Sequence, residues 1–393
     1  MFKNLNLLFV FSFILILGII SSFNYIVDPY NIIFDRPPEL NLSRYDKDLF
    51  AIVLKQSVKS NYNTMTFGGS STSSFINRDF FPKNHAMLNS GYMVSDTLLN
   101  YVKFFVKNHP ELKTVIFNIE YASYYFDKKD LFPEIKSSKL TIQEIARLFL
   151  SVDTTISSIK KLKKDPKKIF NKSRYKNKQH KYQEYFNREK LFNNDEITNK
   201  TDAEDIEYNV FIKRNNNHYM KGLKKDILEH FEEYINFFEE NNVNVIYIFP
   251  AYHAMLQSKI YKDFDYKDIE NIKRLFATKA KGKVLDFAYI NKYTTEDLDK
   301  TYLYVDLIHP YSYKYNFFYC TLNNLNAYKD KNVYVELTKD NIEDILSEQR
   351  KNLEKYITQN NKQIDTFLSY RIDNYPIQKF TRNAPDCRAY SRL

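Results

Sequence analysis

The sequence predicts an α/β domain of three layers, with helices on both faces of a central parallel sheet. Three observations lead there. Short β-type runs alternate with helical patterns along most of the chain, the order that produces parallel sheets. The run Thr114–Ile119 is apolar at Val115, Ile116, Phe117 and Ile119, as strands buried on both faces are. With 393 residues, 44% of them hydrophobic, there is material for one large domain or two ordinary ones and no general tendency to disorder.

The elements follow in order. Leu7–Phe23 is seventeen residues without a charge, and Tyr25–Val27 extend it to the length a membrane-spanning helix needs. Lys3 precedes the run and Asp28 follows it, so the short end is expected in the cytoplasm. A cleavable signal peptide is the alternative, but no small-residue cleavage pair follows and the run is long for one. Residues 1–27 are therefore read as an uncleaved, single-pass anchor in the inner membrane, with the bulk of the chain on the periplasmic or extracytoplasmic side.

Asp28–Leu42 is a Pro-containing connector, and Ser43 is placed to cap a helix through about Ser60 with Phe50, Ile52, Val53 and Leu54 on its apolar side. Strands are expected at Asn63–Phe67, His85–Leu88, Thr114–Ile119, Val243–Phe249 and Val284–Phe287. Helices are expected at Asp96–Asn108 behind Ser95, at Met220–Glu240 and at Tyr266–Lys279. Another should run from after His309 through Leu325. Thr338 opens a long polar helix with Ile342, Ile345, Leu346, Leu353 and Ile357 on one face. The regions so defined are the anchor, a first half-domain at 28–126, an insertion at 127–217, a second half-domain at 218–330 and a helical extension at 331–393.

The insertion starts with an amphipathic stretch at Ile142–Ile159 and then turns polar. Between Lys160 and Lys190 thirteen Lys/Arg face only Asp165, Glu184 and Glu189, which accounts for the whole net charge of +10. Such a run is a solvated, partly helical cover, or a surface attracted to anionic lipid or acidic polysaccharide. Nucleic acid is a poor third choice behind an export anchor. The 33 Tyr and 32 Phe accompany abundant Lys and Asn, a codon-bias pattern that implies no base stacking. Cys320 and Cys387 are the only cysteines; they form one disulfide or remain two thiols. No Cys/His spacing suggests a metal site, and no cofactor motif is read.

Of six glycines in the chain, two stand together in TMTFGGSSTSSFI at 64–76. They end the first strand, and a parallel sheet gathers its sites at such carboxyl ends. The other strand ends carry Asn89-Ser90-Gly91, Asn118–Glu120 and Pro250–His253. Late in the chain, TYLYVDLIHPYSYKYN sets Asp306 three residues before His309. A serine hydroxyl needs an adjacent base to act as a nucleophile, and an Asp three residues from a His can reach the same site from one loop.

A serine after the first strand with a late D-x-x-H resembles the SGNH/GDSL hydrolase superfamily, whose fold is a flavodoxin-like α/β/α sandwich. The pattern is most similar to its membrane-anchored, exported branch, which includes teichoic-acid D-alanyl transfer and alginate-acetylation proteins. The resemblance spans about residues 25–325 in the order of its parts. It implies Ser70 as nucleophile, His309 as general base and Asp306 as its orienting partner. A shift of one residue would make the nucleophile Ser71; Ser70 is preferred because Phe75-Ile76 then falls at the apolar pair after the family's serine. Oxyanion donors would come from Gly91 N–H and from Asn89 or Asn118. Glu120 stands where the family has an asparagine, and a carboxylate cannot donate a hydrogen bond. His253 and Tyr311 are further cleft candidates; a solvent-exposed loop histidine is an equal reading of the first, and core packing is the preferred reading of the second.

The resemblance implies an exported serine esterase or O-acyltransferase acting on cell-envelope polysaccharide. Glu120 also motivates the alternative, an inactive scaffold or glycan-binding subunit of the same fold. In a third possibility, the basic insertion itself is the functional surface.

Overall fold

The computed structural model describes residues 2–30, 47–69, 72, 84–89, 96–121, 135, 137–164, 226–263, 265–295 and 332–369. The N-terminal apolar run forms α1 (Phe2–Val27), and its window Asn6–Val27 is long and apolar enough to cross a membrane. The chain continues through α2 (Lys47–Ser57), β1 (Thr64–Gly68), β2 (His85–Asn89), α3 (Asp96–Asn108) and β3 (Thr114–Asn118). Next come α4 (Ile142–Leu150), α5 (Val152–Lys164), α6 (Ile227–Glu240) and β4 (Asn244–Phe249). The remainder is α7 (Ala254–Asp263), α8 (Lys267–Lys279), β5 (Lys283–Asp286), β6 (Val335–Leu337) and α9 (Ile342–Ser369).

The six strands form one sheet in the order β2-β1-β3-β4-β5-β6. The first five are parallel, and β6 joins β5 antiparallel at the edge. The chain steps outward from β1 to β2 and then returns across β1 to β3, so the direction of winding reverses between β1 and β3. In open α/β sheets that reversal opens a crevice at the carboxyl ends of the two strands.

Alternation along each strand sets two faces. Met65, Phe67, Val115, Phe117, Val245, Tyr247 and Phe249 share one, and all are buried. Phe67 stacks on Phe117 with ring centroids 4.1 Å apart. Phe67 and Phe117 both meet Tyr234 of α6, while Phe117, Tyr247 and Phe249 surround Phe276 of α8. Aromatic pairs at these separations add to the burial term itself, so this face is the main core. Helix α3 joins α6 through Lys103–Glu233 at 2.7 Å. The opposite face carries Thr66, Asn118, Ile248 and Leu285, all buried. On it His85 Nε2 lies 2.8 Å from Thr66 Oγ1, and burial pushes the imidazole down to about 3 because the charged form cannot be solvated there.

Of the region expected to be a C-terminal extension, the described residues 332–369 pack into the domain. β6 widens the sheet, and α9 is tied to α8 and β5 by a buried polar knot. Lys273 Nζ donates to Asp286 Oδ2 at 2.6 Å and to Gln349 Oε1 at 2.9 Å, and Gln349 Nε2 donates to the same Asp286 oxygen at 2.6 Å. Nearby, Arg350 forks onto both oxygens of buried Glu270. The amphipathic stretch at 142–159 is two helices rather than one. Ser151 ends α4 and restarts the chain, its hydroxyl accepting the Thr154 N–H at 3.1 Å as an N-cap does. The expected helix from His309 through Leu325, the segment 165–190 of the basic run, Cys320 and Cys387 lie outside the described residues.

Candidate functional site

The ends of β1 and β3 meet in one cluster at the reversal point. β1 finishes at Gly68, paired in register with Asn89 at the end of β2, and Gly69 follows. Thr72, three residues on, donates its N–H to Gly69 O at 3.1 Å and to Glu120 Oε1 at 3.0 Å. Its hydroxyl also points at Glu120 Oε1, at 3.4 Å, and receives the Asn118 Nδ2–H at 3.1 Å. Asn118 Nδ2 reaches Glu120 Oε1 as well, at 3.3 Å. Thr72, Asn118 and Glu120 are fully buried. A buried carboxyl oxygen that faces backbone, hydroxyl and amide groups is held by hydrogen bonds that are costly to leave unmade. The chain leaving β1 is thus strapped to the chain leaving β3.

The glycine pair has a steric cause. Neither Gly68 nor Gly69 has a positive φ, so conformational freedom is not what the positions demand. A Cβ on Gly68 would stand 2.1 Å from Thr72 Oγ1 and 2.9 Å from Asn118 Cβ. One on Gly69 would stand 2.2 Å from Glu120 Oε2. Only a residue without a side chain lets Asn118 and Glu120 lie directly on the backbone beyond β1.

The loop after β4 adjoins this cluster. Ile119 N–H bonds Ile248 O at 2.7 Å, and the Tyr121 and Tyr252 rings meet edge-on with centroids 4.7 Å apart. His253 is fully buried rather than solvent-exposed. Its Nδ1 accepts the Met255 N–H at 3.1 Å and its carbonyl the Leu256 N–H at 3.0 Å, so it caps α7. Helix caps are normally Ser, Thr, Asp or Asn, which is why the sequence did not announce α7.

Of the predicted site residues, the structure brings Asn118 and Glu120 into direct contact and sets the His253 loop beside them. Asn118, a proposed oxyanion donor, directs its amide into the cluster. Glu120 acts as an acceptor that holds the β1 exit. Asn89 ends β2 next to Gly68, but its side chain, together with Ser70, Ser71, Gly91, Asp306, His309 and Tyr311, lies outside the described residues. Sequence reasoning missed Thr72, one of five consecutive hydroxyl residues; its contacts with Asn118 and Glu120 come from 46 and 48 residues away and leave no local pattern.

Comparison with known proteins adds no relative: no family model, no curated protein and no solved structure matches the chain.

Proposed function

We propose that the chain is a membrane-anchored serine esterase or O-acyltransferase of the SGNH type, acting on an acylated cell-envelope glycan. The observation that carries this reading is the strapped exit of β1 where the strand order reverses between β1 and β3. Its glycines, Thr72, Asn118 and Glu120 immobilise the backbone on both sides of Ser70 and Ser71, as a nucleophile's support must. α1 supports an anchored location, and the reading places the domain on the extracytoplasmic side.

In this mechanism Ser70 Oγ attacks the acyl carbonyl while His309 takes its proton, and Asp306 fixes the imidazole. The proton then passes to the departing sugar oxygen, leaving the acyl group on Ser70. Water or a second sugar hydroxyl, deprotonated by His309, takes the acyl group and restores the serine. Gly91 N–H and the Asn89 amide are the oxyanion donors; Glu120 holds the nucleophile's loop and makes no contact with the oxyanion. The test is hydrolysis of chromogenic acetyl esters by the detergent-solubilised chain. Turnover lost in Ser70→Ala and His309→Ala but kept in Ser71→Ala supports the assignment. Equal turnover in all three overturns it.

The acceptor character of Glu120 favours one second reading, a glycan-binding scaffold of the same fold. It predicts that Ser70→Ala and His309→Ala both restore a deletion strain fully.

A further inference from the structure

The α4–α5 hairpin is fixed where α1 reaches the end of its apolar window. Asn24, 1% exposed, donates through Nδ2 to Phe149 O at 2.7 Å and to Thr155 Oγ1 at 3.0 Å. Its Oδ1 accepts the Ser158 hydroxyl at 2.8 Å. Tyr30 OH reaches Thr154 Oγ1 at 3.4 Å, and Lys161 Nζ bonds Asp28 O. On its other side α4 is attached to the domain: Leu148 is buried in the core, and Glu144 pairs with Lys55 of α2 at 2.7 Å. The hairpin is therefore a bracket between the membrane helix and the sheet.

Much of the remaining surface of that bracket is aliphatic, although Gln143 and Asp153 are exposed on it as well. Ile142 is 87% exposed and Val152 74%, and Ile145, Leu150, Ile156 and Ile159 are exposed beside them. Tyr25 and Ile26 of α1 are exposed at the same level, the place where aromatic residues mark the membrane–water boundary. Lys160 and Lys163 lie on the exposed face of α5. An aliphatic row with lysines beside it, continuous with a membrane-spanning helix, is the composition of an element lying in a bilayer interface.

We propose that the α4–α5 hairpin lies on the bilayer, its aliphatic row inserted among the lipid chains and its lysines on anionic headgroups, so that the domain is held at a fixed attitude above the membrane. The proposal rests on α1 spanning the membrane and is independent of the catalytic reading. A second copy or another protein covering this face would instead leave it away from lipid.

The test uses the full chain with Cys320 and Cys387 replaced by serine, in nanodiscs of phosphatidylcholine and phosphatidylglycerol. A single environment-sensitive fluorophore is attached through Ile145→Cys or Ile156→Cys, with Leu15→Cys as the membrane control and Lys351→Cys on α9 as the aqueous one. Nitroxide-bearing lipids should quench labels at 145, 156 and 15, and leave 351 unchanged. Quenching at 15 without quenching at 145 and 156 overturns the proposal. So does a blue shift at 145 and 156 that lipid nitroxides do not touch, which identifies a protein partner. Absence of quenching at 15 overturns the spanning helix and the proposal with it.

Discussion

Replacing Gly69 with alanine puts a methyl group 2.2 Å from Glu120 Oε2 and 2.7 Å from Glu120 Cδ, so one of the two must move. The carboxylate is the flexible partner, but it is fully buried and holds the Thr72 N–H at 3.0 Å. Displacing it forfeits its buried hydrogen bonds with the Thr72 N–H and the Asn118 amide, about 1–3 kcal/mol together; keeping it leaves overpacking strain of about 1–3 kcal/mol. Gly69→Ala should therefore destabilise by about 1–3 kcal/mol. In the double variant with Glu120→Ala, the methyl occupies space the carboxyl group has left. Its added cost should fall to within about 0.5 kcal/mol of zero, a coupling of about 1–3 kcal/mol for residues in contact. Gly68→Ala is the comparison: its methyl meets Thr72 Oγ1 at 2.1 Å but also Asn118 Cβ at 2.9 Å and Asn118 O at 3.0 Å, and the two Asn118 contacts remain without Glu120, so part of its cost should persist in the double variant. The assay is urea unfolding of the solubilised chain followed by circular dichroism. Additive costs for Gly69→Ala and Glu120→Ala would refute the strap.

Three further outcomes are expected. Lys273→Met leaves buried Asp286 without its cation, beside Gln349, so it should cost about 3–5 kcal/mol in unfolding, most of it recovered when Asp286→Leu is added. His85, held near 3 by burial, stays neutral in the fold while the unfolded imidazole protonates near its ordinary value of 6.5. Its contribution is complete above that value and is lost as pH falls toward 3, at up to about 1.4 kcal/mol per pH unit. His85→Gln should flatten that part of the stability–pH curve relative to the parent, and an unchanged slope would contradict the assignment. Thr141 and Glu144 form a capping box at the start of α4, so Thr141→Ala should cost about 1 kcal/mol, read as about fivefold faster amide exchange confined to α4.

What the sequence disclosed follows from how each element is stabilised. β3 and β4 are apolar runs buried on both faces, and α3 shows its core side in Leu99, Val102, Phe105 and Val106; periodicity finds such elements. β6 is three residues at a sheet edge, too short for alternation to register. α7 begins behind a buried histidine cap, and Ser151 divides what reads as one amphipathic stretch. At the candidate site, the glycine pair was visible by its rarity. Its cause was not, because close approach of Glu120 from 51 residues away leaves no local pattern. For the same reason Glu120, conspicuous only as a poor oxyanion donor, proves to be an acceptor from the chain beyond β1.

The reactivity of the strapped segment is the central question. The direct measurement is to treat the membrane-embedded chain with a fluorophosphonate, digest it, and locate the adduct by peptide mass spectrometry. The account predicts a single adduct on Ser70 that disappears in Ser70→Ala and His309→Ala and persists in Ser71→Ala. No adduct between Gly69 and Thr72, or one retained in both serine variants, would contradict it.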